Sequence, residues 1–331
     1  PAAPPPSGPG QPPRQPAPRP VRRRRRGRRT LAVLAVLLVL VLAWPVGLLI
    51  WANGKINRVE ALSGAADTPG RTYLLAGSDS RADGALTDAT EGERSDTIMV
   101  LHAPESGAAS LISIPRDTYV EIPGHGGNKI NAAYSLGGPP LLVATVEDLT
   151  DLSVDHYVEI GMAGMQDIVD AVGGVELCLD YDVDDWRSKL EWTAGCHEAD
   201  GATALAFARM RYADREGDIG RADRQRQLVS AIVDRVNDPG TLINPARHKE
   251  LLEAGTGALL VVEDTGIIDL GRMALAFRSA TGADGVVGAP PITDYNYRPG
   301  GIGSAVLLDP DRAPDFFARM RSGDITPDDV H

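Results

Sequence analysis

From residue 71 onward the apolar positions change rhythm several times, short β-branched runs giving way to stretches in which apolar residues recur every three or four places. Residues 72–76, 97–103 and 109–114 read as strands, as do 156–160, 175–179 and 285–289. Helical spacing covers 140–149, 162–172, 201–209 and 221–236, and returns near 247–254, 266–279 and 312–320. Alternation of this kind predicts an α/β fold, a single layered αβα domain with a central mixed sheet. No internal repeat is visible, and no linker after Arg71 calls for a second domain.

The first seventy residues follow a different pattern. Residues 1–20 are almost entirely Pro, Ala, Gly, Gln and Arg, too poor in apolar side chains to offset the entropy of ordering, so 1–30 is expected to be a disordered basic tail. Residues 31–51 then run for twenty-one positions without a charge. At about 1.5 Å rise per residue this is long enough to cross a hydrocarbon core of roughly 30 Å, and it predicts one transmembrane helix ahead of the domain. The competing reading is a cleaved signal peptide, whose apolar core is normally shorter, about 7 to 15 residues. Basic residues stay on the cytoplasmic side, and Trp44 and Trp51 suit the far interface. A single-pass protein of the cell membrane follows, with a cytoplasmic N-terminus, an extracytoplasmic linker over 52–70 and an extracytoplasmic domain over 71–331.

Charge sharpens this division. Nine of the 33 basic side chains lie in the first thirty residues, which leaves 24 against 45 acidic ones in the rest, a net charge of −21. A body so acidic excludes general nucleic-acid binding, which needs many cations facing the phosphates, so any anion site must be local. The two cysteines, Cys178 and Cys196, bracket a polar loop. Outside the cytoplasm they are expected to form a disulfide, and they lack the ligand count of a zinc site.

One local site stands out. Arg209 to Gln227 gathers six arginines in nineteen residues, with Arg209 and Arg211 closing one helix and Arg221, Arg224 and Gln225 opening the next. Unpaired N–H groups at a helix start, joined by guanidinium forks, can grip phosphate. Arg221 and Gln225 are four apart and share a helix face. Asp218 either caps that helix or holds an arginine. Two strand ends supply acids: Asp79 after the run 72–76 and Asp96 before 97–103, with Arg81 and Arg94 nearby. Converging carboxylates among arginines suit a hard cation such as magnesium. The plainer alternative is that both are turn residues satisfying backbone N–H groups. Arg116-Asp117 ends a third strand, either as part of a site or as an ordinary salt bridge. The glycine-rich stretch 119–138 reads as a loop running into a short helix, without P-loop or dinucleotide spacing. No Gly-x-Ser-x-Gly elbow occurs, and no two of the six histidines are four apart, which disfavours serine and zinc hydrolases.

Taken together and in order, Gly77-Ser-Asp-Ser-Arg81, Arg94-Ser-Asp-Thr97, Ser113-Ile-Pro-Arg-Asp117, Asn128-Lys-Ile-Asn-Ala-Ala-Tyr134, Gly173-Gly-Val175 and Ala204 through Arg211 to Gly217-Asp-Ile-Gly-Arg221 and Arg224-Gln225 resemble the LytR-CpsA-Psr family. The resemblance runs from about Arg71 to Val236. It implies a phosphotransferase that moves a glycopolymer from a polyprenyl-pyrophosphate carrier to a peptidoglycan acceptor. It also implies Mg2+ organised by Asp79 and Asp96, catalytic roles for Arg116 and Asp96, and a pyrophosphate grip made by Arg81, Arg94, Arg209, Arg211, Arg221 and Gln225. Arg226 departs from the family pattern, where a second glutamine is common. Two other readings stay open: a polyprenyl-pyrophosphate hydrolase using the same grip, and a non-catalytic membrane-anchored lipid-binding regulator.

Overall fold

The computed structural model describes residues 23–78, 95–210, 218–236, 238 and 245–330. The chain forms two compact units, residues 1–48 and 49–331. The described part opens with helix α1 (Arg23–Asn53). Among the described residues no helix is long and apolar enough to cross a membrane. Within 31–51 the side chains of Leu37, Leu40, Val41, Leu42 and Pro45 fall outside the described set, so the span remains an expectation from sequence.

The larger unit is built on seven strands in the order β1-β12-β7-β2-β3-β4-β13. These are β1 (Asn57–Val59), β2 (Arg71–Ser78), β3 (Ser95–Ala103), β4 (Ser110–Ser113), β7 (His156–Gly161), β12 (Leu259–Val262) and β13 (Val286–Gly288). The sheet is mixed: β2 pairs parallel with β7 and antiparallel with β3, and β4 pairs antiparallel with β3 and parallel with β13. The C-terminal ends of β2, β4, β7 and β13 therefore share one edge with the N-terminal end of β3. Helices cover both faces. Leu142, Val143 and Val146 of α2 (Ile130–Thr150) and Phe316, Phe317 and Met320 of α8 (Ala313–Ser322) pack on Leu74, Ile98, Val100 and Ile112. On the opposite face Val229 and Val233 of α5 (Asp218–Val236) and Phe277 of α7 (Ile267–Ala280) meet Tyr73, Met99, Leu101 and Leu111. Alternate residues of β3 thus enter different cores, as the period of two in a strand requires. Leu142 is fully buried, and its truncation to Ala is expected to cost about 2–5 kcal/mol.

A separate core lies beside the sheet. Helix α3 (Met162–Val172) and helix α4 (Gly201–Arg209) pack Val169, Val172, Ala204 and Phe207 against strands β8 (Val175–Leu179), β9 (Val183–Asp185), β10 (Leu190–Trp192) and β11 (Gly195–Ala199). The expected pairing of Cys178 with Cys196 is present: the two stand opposite each other in the β8–β11 ladder and form a disulfide. Helix α6 (Pro245–Ala258) leads into β12.

Several expectations need correction. The linker over 52–70 is partly built into the domain: Asn57–Val59 is an edge strand beside β12, and Ala52, Ile56 and Ala61 are buried. The stretch 119–138 is no loop. Tyr119–Ile122 (β5) and Gly126–Lys129 (β6) form a hairpin, and α2 starts at Ile130, ten residues before the expected helix. The apolar period is interrupted because α2 is kinked at Gly137 and Gly138 ahead of Pro139-Pro140. Gly138 has φ 65°, which glycine adopts without steric cost, and the prolines lack the N–H that would continue the first segment. The polar loop between the cysteines is also structured, its residues 183–192 closing a β9–β10 hairpin. A last hairpin, β14 (Ile292–Tyr297) and β15 (Ala305–Leu308), was not expected at all.

Candidate functional site

The sheet edge shared by β2, β3 and β4 is reached by Gln225 and Arg226 of α5. The β2–β3 ladder runs regularly from Arg71↔Ala103 to Gly77↔Thr97 and then slips, Ser78 pairing with Ser95. Asp96 is the extra residue of that bulge. Bulges locally re-aim a strand beside functional sites, and this one brings the backbone of Asp96 alongside the residue pair that precedes Asp79. A side chain on Gly77 would put its Cβ 3.0 Å from Thr97 Cβ, so the close approach of the two strands there depends on glycine.

Helix α5 reaches over this edge. Thr97 Oγ1 donates to Gln225 Oε1 at 2.7 Å. Because the amide oxygen is the accepting end, the Nε2 hydrogens are the donors Gln225 can offer to an anion. Arg226 Nη1 donates to Ser113 Oγ at 3.3 Å and the guanidinium pairs with Asp223. Both side chains therefore reach strand ends, Gln225 at β3 and Arg226 at β4. Burial pulls the Arg226 guanidinium down from its ordinary pKa, since charge removed from water is costly unless an anion faces it.

Arg224 turns the other way. It is buried, with Nε donating to Phe207 O at 3.1 Å and Nη2 to Met210 O. These carbonyls belong to the last turn of α4 and to its C-cap residue Met210, where C-terminal oxygens lack helical partners and a cation also complements the helix dipole. Arg224 is thus a clamp that holds the end of α4, and with it Arg209, beside α5. Arg224 is thereby directed to carbonyls of its own chain.

Beyond Ser113 the chain reaches Arg116 and Asp117. Asp117 bridges two cations, its Oδ2 3.8 Å from Arg116 Nε and its Oδ1 3.0 Å from Lys129 Nζ. The backbone repeats the link: Ile130 N donates to Thr118 O at 2.8 Å and Asn131 N to Arg116 O at 3.1 Å. The strand-end salt bridge is therefore real, and it also joins the Ser113–Asp117 and Asn128–Tyr134 segments into one corner. Further inside, Glu159 of β7 lies opposite Ala76 of β2 and is 4% exposed. Tyr134 OH donates to its Oε1 at 2.9 Å and Tyr157 OH to its Oε2 at 2.6 Å. Burial first and the Glu159 charge second raise the Tyr157 pKa, so the phenol stays a donor. This acid escaped notice in the sequence, although Tyr157 and Glu159 fall on the same inward side of an apolar strand, where a carboxylate demands partners.

Thus Gln225 and Arg226 reach the edge that carries the backbone of Asp96, Arg116 follows Ser113 at the end of β4, Arg209 closes the helix whose end Arg224 holds, and Arg221 lies one turn before Gln225 on α5. Asp79, Arg81, Arg94 and Arg211 lie outside the described residues, as do the side chains of Asp96 and Asp218. Among the described residues no three His, Cys, Asp or Glu side chains gather as a metal cluster. As carboxylates, Asp79 and Asp96 are of the hard oxygen donor type that magnesium takes. A cavity of about 370 Å³ lined by Pro69, Pro104, Glu105 and Arg321 lies at the other end of β2 and β3.

Residues 52–259 match the model of the LytR_cpsA_psr family. The chain is similar to the probable cell wall biosynthesis protein LcpB of Corynebacterium glutamicum, with 42% identity over 292 residues covering 85% of this chain and 68% of that protein. It is also similar to the polyisoprenyl-teichoic acid–peptidoglycan teichoic acid transferase TagU of Enterococcus faecalis, 38% identical over 213 residues, 64% of this chain and 67% of that protein. Among solved structures, B. subtilis TagV aligns with a TM-score of 0.62 and 26% identity over 79% of this chain and 100% of that one.

Proposed function

Since the chain belongs to the LytR_cpsA_psr family, we propose that it transfers a phosphate-linked cell-wall glycopolymer from a polyprenyl-pyrophosphate carrier to peptidoglycan. The observation that carries this reading is the pair of contacts Gln225–Thr97 and Arg226–Ser113, which seat the arginine-bearing helix on the strand ends that carry Asp96 and lead to Arg116. The name of the similar TagU protein, a teichoic acid transferase acting between polyisoprenyl carrier and peptidoglycan, agrees with that chemistry.

Phosphoryl transfer depends on positioning and charge neutralisation more than on covalent help from the protein. Arg116, Arg209, Arg221 and Gln225 donate hydrogen bonds to the non-bridging pyrophosphate oxygens, and Arg81, Arg94 and Arg211 complete the grip. Asp79 and Asp96 would hold Mg2+, which when bound supplies further neutralisation of phosphate charge. An acceptor sugar hydroxyl forms a new O–P bond at the glycan-linked phosphorus, and the bridging P–O bond breaks with its electron pair leaving on polyprenyl phosphate. The hydroxyl proton passes to a carboxylate, for which Asp218 at the start of α5 is the candidate. Residues 31–51 anchor the chain in the membrane that carries the lipid, a reading supported by exposed Leu31, Val33, Leu34 and Val36 along α1.

The test is an assay of the detergent-solubilised chain with Mg2+, a polyprenyl-pyrophosphate oligosaccharide and peptidoglycan oligomers. Glycan phosphate joined to peptidoglycan is the expected product. Release of phosphate or phosphorylated glycan without attachment would replace the transferase by a hydrolase.

A further inference from the structure

The hairpin β14–β15 lies beyond the segment that the family model matches, yet it is docked against the Arg116 corner. Val306 N donates to Asp117 O at 2.9 Å, Thr118 and Val306 form a parallel bridge, and Tyr297 packs edge-on to Tyr119 with ring centroids 5.3 Å apart. Residues 293–296 are all exposed, and Tyr295 shows 56% of its surface to solvent. The polar neighbours of Tyr295 are fixed: Asn296 Oδ1 accepts from Ser304 Oγ at 2.6 Å and from Arg298 Nε at 3.4 Å, and Asn296 N donates to Asp294 Oδ1 at 2.8 Å.

An exposed phenol ring on a hairpin strand that also carries ordered polar side chains at Asp294 and Asn296 offers both kinds of group that a sugar uses. The C–H face of a pyranose is apolar and stacks on an aromatic ring, while its rim of hydroxyl and acetamido groups hydrogen-bonds. We propose that β14–β15 is a saccharide-binding face that receives the glycan strand of the peptidoglycan acceptor. The inference rests on the transfer reaction proposed above. The donor is already held through charged phosphates, whereas the acceptor brings a neutral hydroxyl and needs a surface of its own to be oriented. Continuity with the site is provided by the backbone bond to Asp117, next to Arg116. An open strand face also lets a long glycan strand enter and leave sideways.

The experiment uses the full-length chain and a peptidoglycan glycan tetrasaccharide of alternating N-acetylglucosamine and N-acetylmuramic acid, titrated by calorimetry. Tyr295→Ala is expected to weaken binding about threefold to tenfold with Tm unchanged, and Tyr295→Phe, which keeps the ring, to bind as the original does. In the transfer assay the acceptor KM should rise by the same factor while donor KM and kcat hold. The proposal is overturned if the original chain does not bind the tetrasaccharide, if Tyr295→Ala binds it equally well, or if donor KM rises instead. Tetrasaccharide binding lost on Tyr295→Ala in a chain that performs no transfer would sustain the saccharide face and remove the transferase reading.

Discussion

At one end of the β2–β3 pair Thr72 faces His102 across a regular ladder; at the other Gly77 faces Thr97 just before the ladder slips past Asp96. The first end consumes its own polar groups. His102 is fully buried, and since Arg321 O can only accept, Nε2–H donates to it at 3.4 Å while Nδ1 accepts from Thr72 Oγ1 at 3.0 Å. Thr72 N donates to Asp155 Oδ2 at 2.7 Å. At the second end the partners come from a distant helix, Gln225 and Arg226, each with donor capacity left over after its contact with the sheet. A histidine inside a sheet looks more like chemistry than a glutamine on a helix. What separates them is whether neighbours have used up their hydrogen-bonding groups, and that depends on position in the fold rather than on residue type.

The sharpest way to break this contrast is a pair of substitutions. Arg116→Ala should lower glycan transfer by about 10²–10³-fold, the usual cost of losing one donor to developing charge, with little change in Tm. His102→Ala should do the reverse, lowering Tm while kcat stays within about twofold. Equal transfer rates in Arg116→Ala and the original chain would remove the strand end from the site. Next in size is the buried carboxylate. Tyr134→Phe and Tyr157→Phe each take a donor from Glu159, and each is expected to cost about 1–3 kcal/mol in denaturant unfolding, with the two losses coupled because they share one acceptor. Smaller again is Thr97→Val, which frees Gln225 from the sheet and should reduce kcat/KM about tenfold or less, near the net worth of one hydrogen bond; an unchanged value would show that the contact does not orient Gln225.

The smallest effect is on pH dependence, and it probes the inert end. Burial, the first cause in both cases, lowers the pKa of His102 and of His156, which stacks on Tyr73 and shares a hydrogen bond with Thr265. Below the unfolded histidine pKa of about 6.5 the unfolded chain takes up protons that the folded chain resists, so unfolding binds protons and stability falls as pH falls. Stability from these groups is intact above that value and is lost toward the depressed folded values. Tm measured between about pH 7.5 and 5 should decline, and His102→Gln should flatten the curve. A Tm that rises on acidification would contradict the burial of the neutral rings.

Much of the scaffold is legible in the chain. Helices over 162–172 and 201–209 and the strand over 175–179 are found with the expected bounds. The expected strands 97–103 and 156–160 differ only by lengthening at one end, and 72–76 by lengthening at both. The helices turn one apolar face to one core and the central strands are apolar on both faces, so local pattern and tertiary environment agree. Prediction failed where pairing depends on distant chain. Asn57–Val59 becomes a strand only because β12, some two hundred residues later, offers it an edge. Gly126–Lys129 carries three residue types poor in strand propensity and pairs because Tyr119–Ile122 folds back beside it. The same limit applies to the site. Arg209, Arg221 and Gln225 could be picked out as a cluster, but nothing in the linear text separates Arg224, turned inward to cap α4, from Arg226, which reaches Ser113.

By itself, then, the sequence determined the alternating elements, the local concentration of arginine in an acidic body, the pairing of its two cysteines and the order of motifs, because each is written in composition or in short-range period. Only the tertiary structure decided that Arg224 turns inward to α4 while Arg226 reaches Ser113, that Asp96 is the extra residue of a bulge, that Asp117 ties two motifs into one corner, and that a C-terminal hairpin stands beside them. Those outcomes depend on where elements far apart in the chain come to rest and on which polar groups are satisfied first when they do, and no local pattern carries that information.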